Sequence, residues 1–140
     1  MTMNRSTIDL KMVDQIPADP QAGILYVCEE YEIACHRCVC GCQNLVYTPL
    51  GPAEWEFIVE NDRPTLLPSI GSWNLACRSH YWIRGGRIIW AADWSSQQVE
   101  AGRSSEMAKR HRQYNKSVQL PLGLFGRFKL WVLNKIGKLK

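Results

Sequence analysis

The last 34 residues of this 140-residue sequence, 107–140, contain no Asp or Glu. They carry 9 Lys and Arg residues, a charge of +9, whereas residues 1–106 carry 8 Lys and Arg against 13 Asp and Glu, a charge of −5. The formal net charge of +4 therefore hides an acidic part followed by a basic tail. A mainly acidic part argues against a continuous face for nucleic acid, which would require clustered basic residues.

The N-terminus lacks the apolar stretch and the small-residue cleavage site of a signal peptide, because residues 1–11 are mostly polar. We therefore expect a cytoplasmic protein with reduced thiols. This expectation argues against disulfides for the six cysteines. Packing of free cysteines in the core remains the alternative to a metal site.

Cysteine and histidine are also absent from the 34 residues between Cys42 and Cys77, and they are concentrated on either side. The first cluster reads Cys35-His-Arg-Cys-Val-Cys-Gly-Cys42, and the second is the zinc knuckle Cys77-Arg-Ser-His80. Thiolates and imidazoles in two such clusters are typical of a Zn²⁺ site that joins two hairpins. The candidate ligands are His36, Cys38, Cys40, Cys42, Cys77 and His80.

Six candidates exceed the four ligands of a structural tetrahedral zinc site. They could form one closed site with spare neighbours, or a three-ligand site with an open position for water. A Rieske iron–sulfur centre also uses two cysteines and two histidines, but the order His36-x-Cys38 is reversed relative to that motif. Cys28 and Cys35 are weaker candidates, and Cys28 ends an apolar segment that is typical of core.

The remaining pattern predicts a mainly β fold of antiparallel hairpins, held together by the metal site and followed by C-terminal helices. Gly85-Gly86 is a strong signal for a two-residue hairpin turn. We expect a metal-binding β domain in residues 1–94, a polar helix in 95–116 and a basic amphipathic helix in 117–140. Four tryptophans near the second cluster are predicted to pack as core. The predicted strands are residues 8–13, 24–28, 31–38, 44–48, 55–60, 65–67, 81–84 and 87–90.

The C-terminal segment places apolar side chains at helical spacing, with basic residues on the other faces. A helix of about 15 residues would be about 22 Å long, too short to cross a bilayer. Residues 123–140 could lie on an anionic membrane as a peripheral anchor, dock on a protein partner or pack on their own domain.

Six stretches carry a resemblance to a known family: Ile24-Leu-Tyr-Val27, His36-Arg-Cys-Val-Cys-Gly-Cys42, Thr48-Pro-Leu50, Pro68-Ser-Ile-Gly71, Trp73 and Cys77-Arg-Ser-His-Tyr-Trp-Ile83. Over about residues 8–92 the chain resembles an uncharacterised bacterial family, a domain of unknown function. Its members are often encoded beside ThiF-like (E1-like), E2-like and ubiquitin-like proteins. The resemblance implies a bacterial ubiquitin-like conjugation system, with phage defence as one context. The implied partners are the modifier or its activating and conjugating enzymes.

Two function hypotheses follow. The first is a zinc-binding accessory module that binds a protein partner. The second is a zinc-dependent hydrolase that processes or removes the modifier, with Glu30 or its neighbour Glu29 as general base. A thiol hydrolase that pairs a spare cysteine with His36 or His80 is a variant of the second. The sequence favours the module, because thiolate-rich sites are more often structural than catalytic.

Overall fold

The computed structural model describes residues 4–119, with side chains as far as residue 117. Eight strands in this part of the chain form two four-stranded sheets, and one helix follows them. This arrangement confirms the predicted fold class, which is mainly β with antiparallel hairpins and C-terminal helices, and the described residues contain the first of those helices.

The first sheet has the strand order β1-β2-β3-β4. Its strands are β1 (Asp9–Met12), β2 (Ile24–Cys28), β3 (Ile33–Arg37) and β4 (Leu45–Pro49). β1 runs parallel to β2, whereas the pairs β2–β3 and β3–β4 are antiparallel. The parallel pair is possible because residues 13–23 cross over before β2 begins.

The second sheet has the strand order β5-β6-β7-β8, and all its pairs are antiparallel. Its strands are β5 (Glu56–Glu60), β6 (Arg63–Gly71), β7 (His80–Arg84) and β8 (Arg87–Trp90). Gly85 and Gly86 form the predicted turn between β7 and β8, and both have positive φ.

Side chains of the second sheet alternate between a core face and an outer face. Tyr81 and Ile83 of β7 are fully buried and define the core face, where they share one apolar cluster with Leu25 and Val27 of the first sheet. His80, Trp82 and Arg84 therefore belong to the outer face. Their cross-strand partners on the same face are Gly71, Ile89 and Arg87 respectively.

The helix α1 (Ser96–Gln119) begins with a capping box. The hydroxyl of Ser95 accepts a hydrogen bond from the Gln98 amide at 3.2 Å, and the Gln98 side chain accepts one from the Ser95 amide at 2.8 Å. The helix starts where the sequence predicts it and extends to residue 119. None of the described helices is long and apolar enough to span a membrane.

The first compact unit of the chain is Met1–Arg103, and the second begins at Ser104. The predicted domain boundaries at residues 94 and 116 stay predictions. The predicted amphipathic helix, residues 117–140, lies outside the described residues from residue 120 onward, and so does the predicted membrane contact, residues 123–140.

A polar pair is buried within this core. His36 is fully buried, and its Nε2 lies 2.7 Å from the hydroxyl of Tyr81, which is also within hydrogen-bonding reach of Cys38. Burial lowers the pKa of His36 to about 4, so the ring is neutral at pH 7. Nδ1 of His36 has no partner among the described residues. The bond between Nε2 and the Tyr81 hydroxyl is therefore the only hydrogen bond of this ring to the described residues.

We predict that Tyr81→Phe lowers the free energy of unfolding by about 1–3 kcal/mol, because it leaves a buried imidazole nitrogen without a partner. Denaturant unfolding in zinc-containing buffer measures the change. Tyr31→Phe is the matched control, since Tyr31 is 67% exposed and should change stability by less than about 0.5 kcal/mol. Equal stability of the two variants would show that the hydrogen bond between Tyr81 and His36 does not stabilise the fold.

Candidate functional site

Three of the candidate cysteines are brought together by the turn that follows β3. Cys38 is buried, Cys40 and Cys42 are half-buried, and Gly41 between them has a φ of +89° that favours glycine. The Cys38 amide donates to the Asn44 carbonyl at 2.8 Å and so closes the turn before β4 begins. The fourth cysteine, Cys77, comes from the loop between β6 and β7.

The four sulfur atoms lie within 4.8 Å of one another. The Sγ–Sγ distances are 3.4 Å for Cys38–Cys40, 3.8 Å for Cys38–Cys77 and 3.8 Å for Cys42–Cys77. A tetrahedral zinc centre with Zn–S bonds of about 2.3 Å has S–S edges of about 3.8 Å. The donor set and its spacing therefore fit a closed tetrahedral metal centre.

Hydrogen bonds support negative charge on part of this cluster. Burial by itself raises the pKa of Cys42, but bonds from the backbone and the side chain of Asn44 outweigh it and lower that pKa to about 7. The Asn44 amide donates to Cys42 Sγ at 3.2 Å. Burial raises the pKa of Cys38 to about 12, so without a metal this thiol is protonated at neutral pH. A bound cation would deprotonate it, because metal ligation requires the thiolate.

The other predicted ligands lie outside the four-cysteine cluster. His36 bonds to Tyr81, and His80 makes the contacts described below. Cys28 and Cys35 are fully buried, and neither belongs to the four-cysteine cluster. The Cys28 thiol donates to the Asp14 carbonyl at 3.1 Å. Glu30, the candidate general base, is exposed in the turn before β3, whereas the cluster follows the other end of that strand. Five strand residues separate the two ends by about 17 Å.

His80 is held by two hydrogen bonds at opposite sides of its ring. Nδ1 lies 2.8 Å from the Ala92 carbonyl, and Nε2 lies 2.9 Å from the hydroxyl of Ser69. A carbonyl oxygen can only accept, so Nδ1 carries the proton in the neutral ring and Nε2 is the acceptor. The Ser69 hydroxyl therefore donates to Nε2, which is the geometry of a serine activated by a histidine base.

An irregularity in β6 places Ser69 next to His80. Leu66 pairs with Ile83 and Ile70 pairs with Tyr81, so β6 advances four residues while β7 advances two. Such bulges redirect side chains, and they are common next to active sites. Ser69 lies within the bulge, close to Gly71, the cross-strand partner of His80.

Two tryptophans enclose the imidazole. The ring centroids of Trp73 and Trp94 are each 5.0 Å from that of His80, and the two indoles stack on each other at 5.7 Å. Gly71 makes room for this packing, because a Cβ there would lie 2.3 Å from Trp73 Nε1. The rings leave His80 only 5% exposed and restrict its rotation.

A comparison with known protein families identifies the family to which this chain belongs. Residues 12–91, which include the four cysteines, Ser69 and His80, match the model of the family described as BubE, a bacterial ubiquitination-like system serine protease. The chain belongs to the BubE family. No curated protein and no solved structure matches the chain.

Membership of the BubE family confirms the expected link to a bacterial ubiquitin-like system. The family description names a serine, and sequence reasoning had proposed a metal-bound water or a thiol for hydrolysis. Ser69 is not among the predicted site residues, because the predicted strand ends at residue 67 whereas β6 extends to Gly71. The available signal was Pro68-Ser-Ile-Gly71, which lies beside the second cluster in the resemblance.

For the metal centre, we predict that purified wild-type protein holds one Zn²⁺ per chain and that Cys77→Ser loses it, because one of four thiolates is removed. Elemental analysis after anaerobic purification measures the content. Cys28→Ala is the matched control and should keep its metal, since Cys28 lies outside the cluster. Retention of full metal content by Cys77→Ser would refute the four-cysteine assignment.

Proposed function

We propose that this chain is a serine peptidase of a bacterial ubiquitination-like system, with Ser69 as nucleophile and His80 as general base. The observation that carries the proposal is the 2.9 Å contact between Ser69 Oγ and His80 Nε2, together with the tautomer that Ala92 imposes. The description of the BubE family supports the reaction type and the biological system.

In this mechanism His80 Nε2 takes the Ser69 proton while Oγ attacks the carbonyl carbon of the scissile amide. The resulting imidazolium carries N–H groups on both nitrogens, and the Ala92 carbonyl continues to accept from Nδ1. Nε2–H then protonates the leaving amine as the C–N bond breaks. Water attacks the acyl-enzyme with His80 again as base, which releases the acid and restores Ser69.

Ala92 takes the position that a carboxylate occupies in a Ser-His-Asp triad. A carbonyl dipole selects the same tautomer but stabilises the imidazolium less than a full negative charge does. The enclosing Trp73 and Trp94 compensate in part by fixing the ring, since a preoriented base loses less entropy in the transition state.

The metal centre has a structural role in this proposal. Cys38, Cys40, Cys42 and Cys77 would hold Zn²⁺, which supplies a cross-link between the turn after β3 and the loop before β7. Four thiolates complete tetrahedral coordination and leave no position for a reactive water. This argument, with the exposed and remote Glu30, weighs against the zinc-hydrolase hypothesis and leaves His36 and His80 without a ligand role.

The proposed substrate is the ubiquitin-like modifier, cleaved either from a target protein or from a C-terminal extension. Activating or conjugating enzymes stay predicted partners, as does an anionic membrane for residues 123–140. A cytoplasmic location also stays a prediction. The accessory module is the alternative, and it differs from the peptidase in having no reactive serine.

We predict that Ser69→Ala abolishes cleavage of a modifier fusion or conjugate while metal content is retained and the free energy of unfolding falls by at most about 1–3 kcal/mol, the cost of one lost partner at His80. Loss of the nucleophile should cost a factor of about 10⁴ or more in kcat. Ser72→Ala is the control, because Ser72 is a buried serine nearby whose hydroxyl has no partner among the described residues. Loss of activity in Ser72→Ala with full activity in Ser69→Ala would disprove the assignment.

A second test separates the serine from the metal. Replacement of Zn²⁺ by Co²⁺ should leave kcat nearly unchanged, because a closed thiolate site takes no part in bond cleavage. A fluorophosphonate should inactivate the protein by labelling Ser69, as read by peptide mass spectrometry, and His80→Ala should prevent it. A metal-dependent kcat with no labelling would instead support metal catalysis.

A further inference from the structure

The outer face of the second sheet carries apolar side chains that do not contribute to the core. Trp82 is half-buried and Ile89 is 46% exposed, and the two are direct cross-strand partners. Neither belongs to the buried cluster that joins the sheets. Trp82 follows His80 by two residues on β7, so this apolar pair lies on the same face as the Ser69–His80 pair.

Two arginines continue the same face. Arg84 and Arg87 are direct cross-strand partners at the hairpin, and the Arg84 guanidinium lies 4.4 Å from the centroid of the Trp82 ring. Like charges opposite each other on a sheet repel. Neither arginine forms an ion pair with any residue in the described part of the chain. An anionic group bound beside them would relieve this repulsion.

We infer that this strip, defined by Trp82, Ile89, Arg84 and Arg87, is a substrate subsite for an extended peptide that carries an apolar side chain followed by an acidic one. The inference rests on the proposed function, because Ser69 fixes where the scissile bond must lie. It deepens that function by naming the sequence class of the substrate.

Strand spacing sets the expected positions. Each residue of a strand advances about 3.3 Å, so Trp82 lies about 6.6 Å beyond His80, and Arg84 lies the same distance further. An extended substrate advances at a similar rate. The apolar side chain is therefore expected about two residues from the scissile bond, and the carboxylate about two residues beyond it on the same side.

Charge favours an acidic substrate peptide on this strip over the chain's own basic C-terminal segment. Residues 107–140 contain no acidic side chain and carry +9, so they would add to the charge of Arg84 and Arg87 rather than balance it. An acidic peptide provides both the carboxylate for the arginines and the apolar contact for Trp82. The proposed ligand of this strip is therefore the substrate and not the chain's own C-terminal segment.

The experiment measures how fast a fluorophosphonate labels Ser69 in the presence of short peptides. One set of peptides carries Leu and Glu two and four residues from a central Gly-Gly bond, in both directions, and the other carries Ser and Lys there. The Leu–Glu peptide in the bound direction should slow labelling of wild-type protein, and the Ser–Lys peptides should not. Excess salt should weaken the protection, because the arginines are exposed.

Matched variants locate the effect. Ile89→Ser should raise the peptide concentration needed for protection roughly tenfold, as expected for lost contact in an apolar pocket. Val59→Ser is the control, since Val59 is 43% exposed on β5 and shares the opposite face with Phe57. A third set of peptides carries Leu and Lys at the two positions. Arg84→Glu should be protected by these Leu–Lys peptides and no longer by Leu–Glu peptides. Lys11→Glu, on the other sheet, should keep the preference of the wild-type protein for Leu–Glu.

The outcomes separate the two proposals. If no fluorophosphonate labels Ser69, the proposed function fails and the subsite falls with it. If labelling occurs but Leu–Glu and Ser–Lys peptides protect equally, or Ile89→Ser and Val59→Ser behave alike, the subsite is wrong and the peptidase stands. If sedimentation shows self-association that Ile89→Ser abolishes, the face belongs to a second copy and the subsite is overturned.

Discussion

The meeting of Cys77 with the three cysteines after β3 is the constraint on which the described structure depends. It joins a loop of the second sheet to a turn of the first across 34 intervening residues. The strand ladders join strands only within each sheet, and the core of a small β domain is modest. A metal cross-link at this point would fix the start of β7, and β7 carries both the buried Tyr81 and His80, the proposed base. The proposed catalytic geometry would thereby be linked to a site that contacts no substrate.

The Ser69–His80 pair shows how local rules can be broken to make a site. The bulge in β6 interrupts a regular ladder. Gly71 has no side chain, and this leaves room for Trp73 to cover the imidazole. Strand glycines and bulges each weaken a sheet. Their coincidence opposite one histidine indicates that the local irregularity serves the site, since the same sheet is regular between β7 and β8.

The sequence predicted most strands well, because they are short apolar runs bounded by turn residues such as Gly85-Gly86; β6 is longer than predicted, because it continues through Pro68 to Gly71. It also predicted six candidate ligands, His36, Cys38, Cys40, Cys42, Cys77 and His80, without deciding which four bind, and the structure groups only the four cysteines. The pairing of Ser69 with His80, the proposed active pair, was not predictable in the same way. Whether His80 turns toward the sulfurs or away depends on the register between β6 and β7, which no local pattern encodes.

The tryptophans illustrate the same limit. Composition predicts that large aromatic rings pack in a small core, yet Trp73 and Trp94 pack around the His80 ring and Trp90 is 40% exposed. Hydrophobicity indicates that a ring avoids water, but it does not say which face of a sheet carries it. That choice is made by alternation along β7 and β8 once the register is fixed.

Alternation along β7 also limits how this protein can change over evolutionary time. Two neighbouring positions, His80 and Tyr81, serve opposite sides of one sheet, the first toward Ser69 and the second toward His36. If β7 slipped by one residue against β6, the two sides would exchange. The phenol would then point at Ser69, the proposed nucleophile, and the imidazole into the core. Insertions and deletions within β7 itself should therefore be rare among active relatives, whereas the preceding loop, which lies outside both strands, is free of this constraint.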